Sequence, residues 1–300
     1  ELARESLETA RRLDPDHATL TGALAGLTLA GCATTTSVTG PTVVSYDHGA
    51  LDTLLELGLE DKVLAIPQQG LPDYLADLGA KLPDAGSLKE PDQKLLADLQ
   101  PGLVLMTGRQ GADAQISAAK VAPVRDVTLA TGDFRDAVSA NVISLASYYG
   151  LEETAGLKLG ELWQHVGEQK AELADAGTVT VVTHNDGNFS LRSEPAVYEL
   201  LALTPAIVPD SVAPVTRGER TFYPVNVETL AEMAPDTLLV VDRSAAIGAE
   251  PLPQQALQSA LNDAGASTHV VVLNPGLWYL SGGGLQSVRL QVDEVVSALR

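Results

Sequence analysis

"LADLQPGLVLMTGR", Leu96 to Arg109, lies over "LAEMAPDTLLVVDR", Leu230 to Arg243, without a gap. Each segment reads as the end of a leucine-bearing helix, a proline, an apolar strand and an arginine. Proline lacks the N–H that would continue a helix, so Pro101 and Pro235 end one in each copy. The apolar run that follows has no alternating polar face, as expected of a strand buried on both sides of a sheet. The strand then delivers its arginine, Arg109 or Arg243, to its carboxyl end, where open α/β sheets bind ligands. Two such units imply two α/β halves. If the halves face each other, two guanidinium groups point into one cleft.

The rest of the chain fits that frame. "TVVSY" (42–46), "KVLAI" (62–66), "TVTVVT" (178–183) and "HVVVL" (269–273) are further short apolar runs of the same kind. Between them, "ALDTLLELGL" and "DQKLLADLQP" carry leucines at helical spacing and stop at Gly or Pro. Strand and helix in alternation predict an α/β fold with largely parallel sheets. The alternation lapses from Asp133 to Leu173, where only helix is expected. "DFRDAVSANVISLASYYG" opens on Asp133 as N-cap, keeps Phe134, Val138, Val142, Leu145 and Tyr149 at helical spacing, and ends at Gly150. A second helical segment, 151–177, follows. The expected organisation is an N-terminal lobe over 41–132, a connecting helix over 133–150 and a C-terminal lobe over 151–300.

Composition narrows the function. A net charge of −20 argues against nucleic acid, whose binders carry a basic footprint, and against a polybasic membrane anchor. The single cysteine, Cys32, allows no disulfide within the chain and no multi-cysteine metal site. It follows "LTGALAGLTLAG", a run too short to span a bilayer but suited to the apolar core of an export signal. "Leu29-Ala30-Gly31-Cys32" resembles a bacterial lipobox, with Cys32 lipidated, and residues 33–40 read as a flexible tether. Residues 1–17 hold five acids and three arginines, unlike the positive start of an export signal. The expected location is the outer face of the cytoplasmic membrane, through the lipid alone, or the periplasm.

In order along the chain, "VVSYDHGALDTLLELGLEDKVLAIPQQGLPDYL", "GSLKEPDQKLLADLQPGLVLMTGRQ", "APDTLLVVDR" and "NPGLWYLSGGGLQS" resemble the catecholate-siderophore-binding lipoproteins of iron ABC importers. The likeness runs from Pro41 to Arg300. It implies a class III substrate-binding protein: two α/β sandwich lobes joined by one long rigid helix, with a ferric siderophore between them. It also implies a monomer that hands its ligand to an ABC permease, catalyses nothing and holds no permanent cofactor. Arginines from both lobes surround the chelate in that family, and a tyrosine and a histidine fill vacant iron positions. "TGRQ" supplies Arg109, "VDRS" supplies Arg243, and "WYL" supplies Tyr279 as a direct Fe(III) ligand. Glu194 stands at the third arginine's place, with Arg192 two residues earlier as its substitute. Arg217 stands at the histidine's place, with Arg220 nearby. Trp278, His48, Lys89 and Gln69 are lesser candidates for the cleft.

The chemistry is coherent without the likeness. A ferric tris-catecholate is trianionic and flat-ringed, and arginine offers a permanent charge on a planar fork that stacks on rings. At about 5 Å and an effective dielectric of about 20, each charge pair contributes roughly 3 kcal/mol before desolvation. Haem or a corrinoid is the alternative ligand on the same fold. An enzyme using His184 and Asp186 of "THNDG" is the alternative from another class. The five histidines show no metal-binding spacing, and no GxSxG elbow, Walker loop or GxGxxG after the first strand occurs.

Overall fold

Two separate sheets appear in a computed structural model that describes residues 38–300 except Glu219. The first is built from β1 (Val43–Ser45), β2 (Val63–Ala65), β3 (Leu103–Met106) and β4 (Val124–Asp126), all parallel in the order β2-β1-β3-β4. The second centres on three parallel strands, β5 (Thr178–Asn185), β11 (Thr237–Asp242) and β12 (His269–Leu273). Its far edge is antiparallel: β6 (Asn188–Leu191) pairs with β5, and β10 (Pro224–Val225) with β6. A short parallel strand, β7 (Thr204–Pro205), also joins β5, and β8 (Val215–Arg217) and β9 (Arg220–Phe222) form a separate exposed hairpin. All six strands expected from apolar runs are present. β4, β6, β7, β10 and the hairpin were not foreseen.

Each sheet sits in the middle of a sandwich, and the side-chain alternation of its strands shows it. Val43, Leu103 and Leu105 point to one core, while Val44, Val104 and Met106 point to another. In the second sheet Leu239 and Val241 face one way, Leu238 and Val240 the other. The outer cores are private to each sheet, but the inner faces of both belong to a single continuous cluster. Four helices fill it: α1 (His48–Glu56), α2 (Phe134–Ser147), α3 (Glu152–Glu172) and α4 (Leu285–Ala298).

The helix expected over 133–150 forms as α2, capped by Asp133, which accepts from Asp136 N–H. It packs beside α1, and Tyr149 just after it donates to Pro41 O below β1. The span between lobes falls instead to α3. Near its start Lys158 pairs with Glu56 at the end of α1; further on His165 meets Asp293 of α4, and its end leads into β5. At about 1.5 Å per residue its 21 residues cover roughly 31 Å. Both helices are amphipathic in sequence, and periodicity does not say which one crosses. Cys32, the lipobox and residues 33–37 of the tether lie outside the described residues. Among the described residues no helix is long and apolar enough to cross a membrane.

Candidate functional site between the lobes

Arg109 lies in a short helical turn, Gly108–Gln110, directly after β3, and Arg243 opens the turn Arg243–Ala246 directly after β11. The carboxyl ends of both strands therefore meet across the cleft, and both arginines reach one residue. Arg109 Nη2 donates to Tyr279 O at 3.4 Å. Arg243 Nε donates to the Tyr279 phenol oxygen at 2.7 Å, with its guanidinium carbon 5.6 Å from the ring centre. Arg243 also donates to Asn185 Oδ1 at the end of β5. A third arginine, Arg192, donates to Trp278 O at 3.3 Å and to Glu194 Oε2 at 2.5 Å.

Trp278 and Tyr279 hold this central place because they sit on a single π-helical turn, Gly276–Leu280, opened by Pro275. Such wide turns recur at functional sites because they push side chains out of helical register. Here the two rings separate. Trp278 is 1% exposed and spends its indole N–H on Glu294 Oε2 at 2.6 Å, so it offers the cleft a carbonyl rather than a ring. Burial pushes the Glu294 carboxyl up, against that bond and the Asn274 N–H. Tyr279 remains half-buried beside Arg243. Beside the turn lies a cavity of about 290 Å³, lined among others by Asp47, Arg109, Phe134, Arg192, Glu194 and Gln291. Three guanidinium groups drawn from both lobes onto one turn repel one another, and an anion placed among them relieves that repulsion.

The other expected residues are placed differently. His48 is fully buried at the start of α1, and among the described residues neither ring nitrogen has a well-formed hydrogen bond, although the Pro67 and Leu280 backbones lie close to the ring. Burial, with Arg109's charge adding to it, holds its pKa down at about 4. It does not open onto the cleft. Arg217 and Arg220 face each other on the exposed β8–β9 hairpin, and the structure does not bring them to Tyr279. Lys89 is exposed in its loop. Gln69 is exposed too, but neighbouring Gly70 approaches Leu280 and Ala246 O, so its loop flanks the cleft.

The acid–base alternative fails on geometry. His184 is 4% exposed; its Nδ1 donates to Asp242 Oδ1 at 2.8 Å and its Nε2 accepts from Gly187 N–H at 3.1 Å. Burial raises the Asp242 pKa, but His184 and the N–H groups of Leu252 and Ala245 outweigh it and hold the carboxyl below the usual range. Both nitrogens of His184 are committed to bracing the end of β5 against β11. Asp186 occupies the left-handed turn position that Asp tolerates.

The floor of the cleft was not legible beforehand. Asp52 of α1 accepts from Gln286 N–H at 3.1 Å and Ser287 N–H at 3.0 Å, and Thr53 Oγ1 accepts from Leu285 N–H at 3.3 Å. One lobe's helix thus supplies the N-terminal cap of the other lobe's α4, satisfying donors that a helix start leaves open. Tyr74 donates to Asp52 Oδ2 at 3.0 Å, and Ser281 Oγ lies 2.5 Å from the Tyr74 oxygen. Glu199 returns the arrangement, accepting from Phe134 N–H at the start of α2 at 3.1 Å.

Burial pushes the Asp52 carboxyl up to about 7, against the donors around it. An acid whose pKa rises on folding binds more protons folded than unfolded. Its share of stability is complete below about pH 4 and is lost as pH climbs through about 7. The melting temperature is therefore expected to fall from about pH 5 to about pH 8. Asp52→Asn, which keeps an acceptor for the α4 N–H groups, is expected to flatten that fall. Equal slopes in the two proteins would take the effect away from Asp52.

Comparison with known proteins agrees with this architecture. A family described as "Periplasmic binding protein" matches residues 43–277. The petrobactin-binding protein YclQ of Bacillus subtilis is 30% identical over 265 residues, covering 86% of this chain and 82% of its own. Its crystal structure superposes with a TM-score of 0.75 at 27% identity, covering 87% of this chain and 93% of the other. The ferric-anguibactin-binding protein FatB of Vibrio anguillarum is 25% identical over 269 residues, covering 85% and 81%. The iron-uptake ABC transporter substrate-binding protein PiuA of Streptococcus pneumoniae gives a TM-score of 0.74 at 27% identity, covering 86% and 93%. With two lobes, arginines at matching strand ends and these relatives, the chain belongs to the periplasmic binding protein family.

Proposed function

We propose that this protein captures an anionic ferric siderophore, of the catecholate type, between its lobes and delivers it to the permease of an ABC importer. The observation that carries the reading is the convergence of Arg109, Arg192 and Arg243, from both lobes, on the Trp278–Tyr279 turn. Permanent charges on planar forks suit a delocalised, flat-ringed anion. The relatives named for petrobactin and ferric anguibactin support a ferric siderophore as the ligand. Cys32 would carry the lipid that keeps the protein at the outer face of the cytoplasmic membrane, with residues 33–40 as tether. No bond is made or broken in this role. The test is retention: protein mixed with a ferric catecholate chelate and desalted should keep the chelate's visible colour. A colourless protein fraction after mixing with a range of ferric chelates would contradict the reading.

Tyr279 places a phenol oxygen at the meeting point of the lobes, already held by Arg243. If that oxygen enters the iron coordination sphere, the loaded protein shows a phenolate-to-iron charge-transfer band that Tyr279→Phe abolishes. A spectrum unchanged by the substitution would assign Tyr279 to ring contact and arginine positioning alone.

A further inference from the structure

The three arginines of the cleft are not equivalent. Arg109 and Arg243 are held by neutral acceptors: the Tyr279 carbonyl, the Tyr279 phenol and the Asn185 amide. Among the described residues neither forms an ion pair, although the Asp47 carboxyl lies within reach of Arg109's field. Arg192 is different, because the Glu194 carboxylate grips its Nε at 2.5 Å, and the Glu194 side chain is only 8% exposed. A charge paired this closely in a water-poor setting has little left to offer an incoming anion. Glu194 itself lines the cavity, and among the described residues its Oε1 has no hydrogen-bond partner. Asp47, which lines the same cavity, adds a second carboxyl there; its Oδ1 accepts from Ala50 N–H. Two guanidinium groups, Arg109 and Arg192, thus share the cavity with two carboxyl groups, while Arg243 adds its charge beside Tyr279; that balance is a poor match for a trianion and a good match for a less anionic chelate that brings a donor of its own.

We propose that Glu194 sets the ligand charge this cleft accepts, selecting ferric catecholate chelates whose backbone carries an ammonium or N–H donor over fully anionic ones. The proposal rests on the siderophore reading above. The donor meets Glu194 beside Arg192, while the anionic iron centre lies against Arg109 and Arg243. Specificity of this kind is a difference of affinities, and Glu194 contributes to both sides of it: attraction for the donor and repulsion of an extra negative charge.

The experiment uses two synthetic ferric catecholates of equal denticity and length, one with a protonated amine in its backbone and one with an ether oxygen there. Wild-type protein is expected to bind the amine chelate roughly tenfold more tightly than the ether chelate. Glu194→Gln, nearly isosteric, is expected to reduce that ratio to within about twofold and to bind the ether chelate more tightly than wild type does. The wild-type ratio is informative even where the variant is poorly folded. Tight binding of both chelates with no preference in wild type, or with the preference intact in Glu194→Gln, would overturn this inference alone. Failure of wild type to bind either chelate would overturn the siderophore reading and this inference with it.

Discussion

Gly284→Ala is expected to cost at least about 3 kcal/mol of stability, or about 5 °C in melting temperature for a chain of this size. A Cβ at Gly284 would lie 2.1 Å from Asp52 Oδ1 and 2.1 Å from Gly49 O. Both are fixed: Gly49 O is backbone of α1, and Asp52 caps α4. Nothing flexible is available to give way, so α1 and α4 must separate, and the cap on Gln286 and Ser287 is lost with them. Gly49 is the reciprocal half of the contact, since a Cβ there would lie 2.1 Å from Gly282 O. The glycine run after Trp278 and Tyr279 is thus the place where the two lobes touch backbone to backbone. Thermal unfolding measures the cost directly. A melting temperature within a degree or two of wild type would mean that the lobes do not meet as described.

Arg243→Ala is expected to weaken ligand binding by about one to two orders of magnitude, and more than Arg109→Ala, for which about tenfold is expected. Both substitutions remove from the cleft a charge that no ion pair engages among the described residues. Arg243 also braces Tyr279 through its phenol and its ring and ties the turn to Asn185 of β5. Among the described residues the Arg109 side chain makes one long bond, at 3.4 Å, to the Tyr279 carbonyl, and it is exposed. Losing it removes charge but leaves the turn in place. Isothermal titration of each variant with the same ferric chelate gives the comparison. Wild-type affinity in both variants would place the site elsewhere.

What was legible beforehand follows burial. β1, β2, β3, β5, β11 and β12 are largely covered on both faces, so they appear as apolar runs. β8 and β9 are exposed throughout and β4 carries Arg125 and Asp126, so no hydrophobic pattern marks them. Arg109 and Arg243 were legible because a parallel strand's end fixes where the next side chain goes. His48 follows a strand end too, but it enters the first turn of α1 and is turned inward beneath the cleft. Asp52 carried no local signal, because the N–H groups it caps lie 234 and 235 residues away in sequence. The same is true of α3: only its partners on both sides, Glu56 and Asp293, identify it as the span.

Those contacts also bear on how the protein works. One core runs through both inner sheet faces, and each lobe lends a carboxylate to a helix start packed on the other. Closure on a ligand is expected to be small, since a wide opening would break the shared core and both caps.

The central claim is that the cleft holds a ferric chelate by its arginines, and a fluorescence titration tests it most directly. Trp278 adjoins Tyr279 in the π-helical turn, and Trp163 lies in α3, so bound ferric complex should quench the protein's emission. Saturable quenching is expected, with a dissociation constant below about 1 μM in wild type and at least about tenfold higher in Arg243→Ala. Folded wild-type protein whose emission is indifferent to every ferric catecholate offered would contradict it.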